Sequence, residues 1–256
     1  MKFWIMICFN FFIYDMAIAI VEDVKLIEGL KLETLAGGAK IELASAGTIE
    51  QILIVDSQSA LIVVNGNLHF YSLIKKKFID SKAMSLPKDC LNLALVGDSA
   101  TIQKSLYCFG HKKISGSDSI RIFKKGIFDP LIKTPNKISA VTGDANRIFF
   151  ISKDALFQIR IHEGVKPVFI STFLNGIQSM VLDSKNDLIF LASKDQIYSL
   201  RGGVLDILVK GLGGHIALAG DDLLITDQQN KIWRLVAPVS LLIRTKDNTK
   251  DNTKDR

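Results

Sequence analysis

Residues Gly176–Gly203 read GIQSMVLDSKNDLIFLASKDQIYSLRGG, and the parsing of this stretch decides the fold. Three apolar runs, Ile177–Leu182, Leu188–Ala192 and Gln196–Leu200, are rich in β-branched and aromatic residues. Asp183-Ser-Lys-Asn-Asp187 and Ser193-Lys-Asp195 separate them, and such polar residues accommodate tight turns. The stretch therefore reads as a three-stranded antiparallel meander. A sheet this small with apolar side chains on both faces cannot shield itself from water. It needs neighbours of the same kind.

The neighbours are in the chain. On either side, Lys137–Thr142, Arg147–Ile151 and Ala155–Ile161 repeat the pattern, as do Ile216–Ala219, Leu223–Thr226 and Lys231–Val236, with Val239–Arg244 behind them. Nearer the N-terminus lie Ile49–Val55, Ala60–Val64 and Leu68–Leu73, the last two joined by Asn65-Gly66-Asn67, a hairpin signal. The least regular unit holds Leu91–Val96, Ile102–Phe109 and, after the polar excursion His111–Asp118, Ser119–Phe123. An aspartate comes after each opening strand, at 56, 98, 144, 183 and 222, with separations of 42, 46, 39 and 39. Ser152-Lys153-Asp154 and Ser193-Lys194-Asp195 lie 41 apart. A period near forty with four strands per period is the spacing of propeller blades.

The expected fold is all-β: a β-propeller of five or six four-stranded blades over residues 20–244. Val24–Ala44 reads as half a unit. It is expected to pair with the last blade, so that N-terminal and C-terminal segments share one sheet and no sheet is left open. The third strands Leu156-Phe157-Gln158-Ile159, Ile197-Tyr198-Ser199-Leu200 and Ile232-Trp233-Arg234-Leu235 make the chain resemble TolB-like and NHL-type propellers. The resemblance covers roughly Ile49–Val236. It implies a rigid, often protein-binding disc.

Of the 256 residues, 48% are hydrophobic and 23% charged, enough for one large core. Met1–Ala19 stands apart: Lys2, an apolar run from Phe3 to Ile13, then Ala17-Ile18-Ala19. This is the layout of a signal peptide cleaved after Ala19, too short to span a bilayer. An uncleaved anchor or a buried first strand is the alternative. No later stretch is long enough for a transmembrane helix. The expected location is periplasmic or secreted, by bacterial export. There Cys90 and Cys108 can pair as a disulfide, the alternative being two separate buried thiols. The tail, residues 245–256, repeats Lys-Asp-Asn-Thr and reads as a disordered charged segment.

Net charge is +6, with clusters at Lys75-Lys76-Lys77, Lys112-Lys113 and Lys124-Lys125. Solvated turns account for them, and attraction to an anionic envelope surface is the sharper reading. No interleaved aromatics accompany them, which argues against nucleic acid. No catalytic residues, metal ligands or cofactor are assigned: GxSxG, HExxH, paired Cys/His motifs and phosphate-cradling glycine loops are missing. The four histidines, 69, 111, 162 and 215, fall at different phases of the repeat and so cannot face one point. Gln51, Asn92, Ser139, Gln178 and His215 are the candidates for lining a central channel. They carry no carboxylate, which disfavours a hard cation. The leading reading is an exported, non-enzymatic propeller acting as a protein-interaction or envelope-assembly module. A metal-dependent lactonase or hydrolase of the six-bladed type, and a binder of anionic envelope surface through the lysine clusters, are the competing readings.

Overall fold

A computed structural model describes residues 24–34, 49–56, 58–79, 84–87, 90–97, 105–111, 118–163, 166–172 and 176–243. Met1–Ala19, expected from sequence to be a signal peptide, the tail 245–256, Asp98 and Lys112-Lys113 lie outside the described residues. Two short strands, β1 (Lys25–Leu26) and β2 (Lys31–Thr34), precede the first blade. Blade 1 is β3 (Ile49–Ile54), β4 (Ser59–Val64) and β5 (Asn67–Ser72), its outer edge divided between β6 (Lys77–Phe78) and β7 (Met84–Ser85). Blade 2 is β8 (Cys90–Val96), β9 (Ser105–His111), β10 (Asp118–Lys124) and β11 (Ile127–Thr134). Blade 3 is β12 (Ile138–Gly143), β13 (Arg147–Ser152), β14 (Ala155–Arg160) and β15 (Val168–Thr172). Blade 4 is β16 (Ser179–Asp183), β17 (Leu188–Ala192), β18 (Gln196–Arg201) and β19 (Val204–Lys210). Blade 5 is β20 (His215–Ala219), β21 (Asp222–Thr226) and β22 (Ile232–Val236). Within each blade, successive strands pair antiparallel, except that β6 and β7 both pair with β5.

The opening strands β3, β8, β12, β16 and β20 pack side by side in that order, and β20 returns to β3. The molecule is thus a five-bladed β-propeller. Its core divides into five clusters, one per gap between blades. Alternation along a strand is what sorts the side chains. On β13, Ile148 and Phe150 enter the gap toward blade 2, while Phe149 and Ile151 enter the gap toward blade 4. On β17, Ile189 and Leu191 face blade 3, and Leu188, Phe190 and Ala192 face blade 5. On β4, Leu61 and Val63 face blade 2, and Ala60 and Ile62 face blade 5. Apolar residues at consecutive positions, which would overload a one-sided sheet, are what a doubly covered blade requires.

Closure uses the N-terminal segment in two ways. β2 pairs antiparallel with β22 and supplies the fourth strand of blade 5. β1 pairs with β19, making blade 4 five-stranded. The sequence expectation of a shared N- and C-terminal sheet holds for β2. The attachment of β1 to blade 4 is an addition, and the count resolves to five blades because both strands join existing sheets. Residues 238–243 form a short helix rather than a further strand. Its Val239, Leu242 and Ile243 pack with Leu26, Ile27, Leu30 and Leu32 over the gap between blades 4 and 5.

Candidate functional site

Among the described residues the axial lining comes mainly from the five opening strands and the residues beside them, with Phe109 of β9 added. The axial cavity measures about 50 Å³ and is walled mainly by aliphatic side chains, among them Ile52, Leu93, Met180 and Leu218. Its polar side chains are Gln178, Ser179 and His215. A bound water needs at least about 10–15 Å³ of such space, so the axis has room for a few waters and no more. Burial pushes the His215 imidazole below its ordinary value of 6.5, leaving it neutral at pH 7. Ser179 Oγ accepts a hydrogen bond from the Ile216 N–H at 3.0 Å, tying blade 4 to blade 5 at the axis.

The five residues singled out from sequence do not share one environment. Gln178 and His215 line the axial cavity. Gln51 is buried, and its amide is saturated by the backbone of the next blade: Nε2 donates to Leu93 O and Oε1 accepts from Leu93 N, both at 2.9 Å. Asn92 is half-buried with its side chain against Gly110, where a β-carbon would stand 2.7 Å from Asn92 Nδ2. Ser139 is half-buried and occupies a β-bulge, since Ile138 pairs with Ser152 and Ala140 with Ile151. Glu50 occupies the same kind of bulge in blade 1. An extra residue re-aims the side chains beyond it, and no sequence signal marks where it falls.

Larger spaces lie between blades, on opposite faces. One face carries the turns between first and second strands and between third and fourth strands. On it, a cleft of about 920 Å³ opens between blades 2 and 3, lined by Tyr107, Lys124, Asp144, Arg147, Arg160 and His162 among others. Arg147 is clamped there: Nε and Nη2 donate to Asp144 Oδ2 at 3.0 and 2.9 Å, and Nη1 donates to Asp187 Oδ1 of blade 4 at 2.7 Å. Burial pushes the Tyr107 phenol above its usual range. On the other face, a cleft of about 510 Å³ lies between blades 1 and 2, lined by Glu50, Asn65, Leu86, Pro87, Cys90 and Leu91 among others. Glu50 Oε1 accepts from the Gly66 N–H at 3.1 Å, fixing the Asn65-Gly66 turn against the cleft wall. Cys90 and Cys108 are joined as a disulfide between β8 and β9, Cα atoms 5.8 Å apart, directly behind this cleft.

The repeated aspartates act on backbone and neighbouring side chains. Asp56 Oδ1 accepts from Gln58 N and Ser59 N, and Asp144 Oδ1 from Asn146 N and Arg147 N, each closing its own turn. Asp183 accepts from the Asn186 amide at 2.7 Å. Asp222 holds Arg234 and the Ala237 N–H. A carboxylate that sequence reasoning passed over, Asp118, is buried and accepts from Gly110 N, Ser119 N and Ile138 N, stapling blade 2 to blade 3. Nothing in the polar run around it distinguishes it in advance. Among the described residues no group of three or more His, Cys, Asp or Glu converges as a metal site. His69 makes a tilted ring contact with Phe78 in blade 1, His162 lines the cleft between blades 2 and 3, and His215 is axial.

No protein-family model and no curated protein matches the chain. Solved propellers do resemble its structure. The WD40 domain of Neurospora crassa Pan2 is 10% identical with a TM-score of 0.46, covering 74% of this chain and 75% of that one. Regucalcin from Agrobacterium tumefaciens, described as a calcium-binding protein, is 16% identical with a TM-score of 0.47, covering 76% and 77%. The WD40 propeller domain of Doa1 is 11% identical with a TM-score of 0.46, covering 84% and 99%. At such identities the likeness is one of architecture and says nothing of activity.

Proposed function

We propose that the chain is a non-enzymatic docking scaffold for another protein. The observation that carries this is the distribution of free space: about 50 Å³ at the axis against about 510 and 920 Å³ in clefts between blades. A hydrolase of the six-bladed type works from carboxylates and amides around a cation in a wider central channel. Here five strands crowd the axis, its lining residues include no carboxylate, and Gln51 is committed to Leu93. The cleft between blades 1 and 2 is a better seat for a protein segment. Its walls are mainly apolar, with Leu91 exposed at the mouth and Glu50 as its charged member. The disulfide and the Glu50–Gly66 contact stiffen it, and preorganised surfaces bind at lower cost in ordering. The finer likeness to TolB-like or NHL-type propellers belongs to this proposal and is supported by the recurring third-strand pattern. So does export to the periplasm or medium, supported by the Met1–Ala19 layout and by the Cys90–Cys108 pairing.

The test is site-specific photocrosslinking in intact cells from Leu91 in one cleft and His162 in the other. One protein captured from a cleft position, and unaffected by Gln178→Ala at the axis, is the expected result. Capture from neither cleft would sink the reading. So would stoichiometric divalent metal in the purified chain together with lactone or ester hydrolysis lost on changing Gln178 or His215.

A further inference from the structure

The turns between third and fourth strands share a composition that the sequence scatters and the fold collects. In blade 1 the turn holds Ile74-Lys75-Lys76-Lys77; in blade 2, Lys124-Lys125-Gly126-Ile127. Blade 3 has Lys166-Pro167-Val168, and blade 4 has Arg201-Gly202-Gly203-Val204. Each couples at least one cation to an exposed aliphatic side chain: Ile74 at 66%, Ile127 at 62%, Val168 and Val204 at 59% exposure. A single exposed apolar residue needs no explanation. Four on the same side of successive blades, each near a Lys or Arg, form a pattern: Ile127 and Val204 open their fourth strands, Ile74 lies within its turn, and Val168 pairs with Gln158. The turns between third and fourth strands all fall on one face of a propeller, so the four residues belong to that face.

The charge on this face is available. Lys75, Lys76, Lys77, Lys124, Lys125 and Lys166 are exposed, and no carboxylate among the described residues pairs with them. Five acids of the same face are already engaged, whereas Asp129 and Asp206, two residues beyond Ile127 and Val204, have no ion pair among the described residues. Asp56 closes its turn, Asp144 and Asp187 hold Arg147, Glu163 holds Arg160, and Asp222 holds Arg234. Two tips are stiff as well. Lys125 and Gly126 have φ of 49° and 88°, and Gly202 and Gly203 have φ of 56° and 82°, closing two-residue hairpin turns.

We propose that this face docks on a bilayer containing anionic phospholipid, with the lysines against headgroup phosphates and Ile74, Ile127, Val168 and Val204 in the interfacial layer. Charge complementarity selects an anionic surface, and the exposed aliphatic side chains on the same face select a bilayer over a soluble polyanion, which offers nothing apolar to receive them. The residues differ from those of the cleft between blades 1 and 2, which opens on the opposite face, so a bilayer and a protein can be held together. Vesicle binding and crosslinking from Leu91 therefore fail or succeed separately.

The test is co-sedimentation of the purified full chain with vesicles of phosphatidylcholine mixed with phosphatidylglycerol, against pure phosphatidylcholine. Binding is expected only with the anionic lipid, and to weaken with salt. K75Q/K76Q/K77Q is expected to reduce partitioning on the order of a hundredfold, each lysine near the surface contributing about fivefold. Ile74→Ser with Ile127→Ser is expected to reduce it about tenfold. Lys137→Gln with Lys194→Gln, exposed on the opposite face, serves as the control and is expected to change nothing. All these positions are exposed, so far-ultraviolet circular dichroism is expected to be unaltered. No binding to the anionic vesicles, equal binding to neutral ones, an equal loss in the control, or full binding after both Ile→Ser changes would overturn the proposal.

Discussion

His215 is a residue whose titration the fold perturbs. It begins β20, at the axis, and burial lowers its pKa below 6.5. The unfolded chain therefore takes up a proton at this side chain before the native one does. Above about 6.5 both states are neutral and the residue is indifferent to pH; as pH falls below that value, protonation favours the unfolded state. Urea melts at pH 7 and pH 5 should show a fall in stability that His215→Gln reduces; an identical fall in both chains would show that the imidazole does not contribute. Gly213 is held for a different reason. A β-carbon there would stand 2.3 Å from Ser193 O and 2.9 Å from Asp195 N, both backbone atoms of blade 4. Gly213→Ala should therefore cost about 1–3 kcal/mol through overpacking, read as a lowered midpoint in urea. A midpoint equal to that of the native chain would mean the turn yields.

At the level of strands and turns, the load falls on the gaps between blades. Phe190 is fully buried on β17, in the gap between blades 4 and 5. Phe190→Ala should cost about 3–5 kcal/mol, a loss that thermal melting would register, whereas exposed Phe169 on β15 should tolerate the same change at far less cost. How much of this was readable beforehand differs by feature. The forty-residue spacing, the opening strands and the Asn65-Gly66 turn were readable because apolar β-branched runs broken by polar residues, and turns that need positive φ, leave clear marks; Asn65 and Gly66 do take φ of 49° and 73°. Turn type was not. Ser152-Lys153-Asp154 makes a two-residue turn with φ of 50° and 59° at Lys153 and Asp154. Ser193-Lys194-Asp195 is instead closed by the Ser193 hydroxyl, which accepts from Asp195 N and Gln196 N. The same three letters thus serve two geometries, decided by what packs against them, Gly213 and Gly214 in the second case. The axial candidates fared unevenly for a related reason: bulges at Glu50 and Ser139 change which side chains of an inner strand meet the axis. In blade 2 the disulfide joins β8 to β9 across a separation of 18 residues. On the chain-entropy estimate, reduction should lower stability by roughly 3 kcal/mol, seen as a lower melting temperature in dithiothreitol. A melting temperature that reductant leaves unchanged would argue that the pairing is dispensable.

For the whole molecule, the decisive feature is that a ring must be shut by strands distant in sequence. Every blade is covered on both faces only while the circle is complete. β2 completes blade 5 through pairs from Lys31↔Val236 to Thr34↔Trp233. The pairing is reinforced by charge, since Arg234 lies between Asp222 at 2.6 Å and Glu33 at 3.7 Å. These groups are partly exposed, so the greater contribution comes from Leu26, Ile27, Leu30 and Leu32 packing on the gap between blades 4 and 5. Four half-buried aliphatics at about 1 kcal/mol each amount to a large share of the roughly 5–15 kcal/mol by which a domain of ordinary stability stays folded. A chain lacking residues 24–34 should therefore melt well below the native protein and self-associate through the bared β22 edge. Truncation alone could act merely by shortening the chain. A synthetic peptide spanning residues 24–34, added in trans, separates the two explanations: if β2 acts by filling the vacant edge, the peptide raises the melting temperature of the truncated chain with the logarithm of its concentration, as mass action demands. The same peptide with Leu30 and Leu32 changed to Ser retains the backbone pairing but loses the apolar contacts, and should rescue poorly. If the truncated chain melts like the native one, or if both peptides rescue equally, the ring is held by something other than the packing of its N-terminal strand.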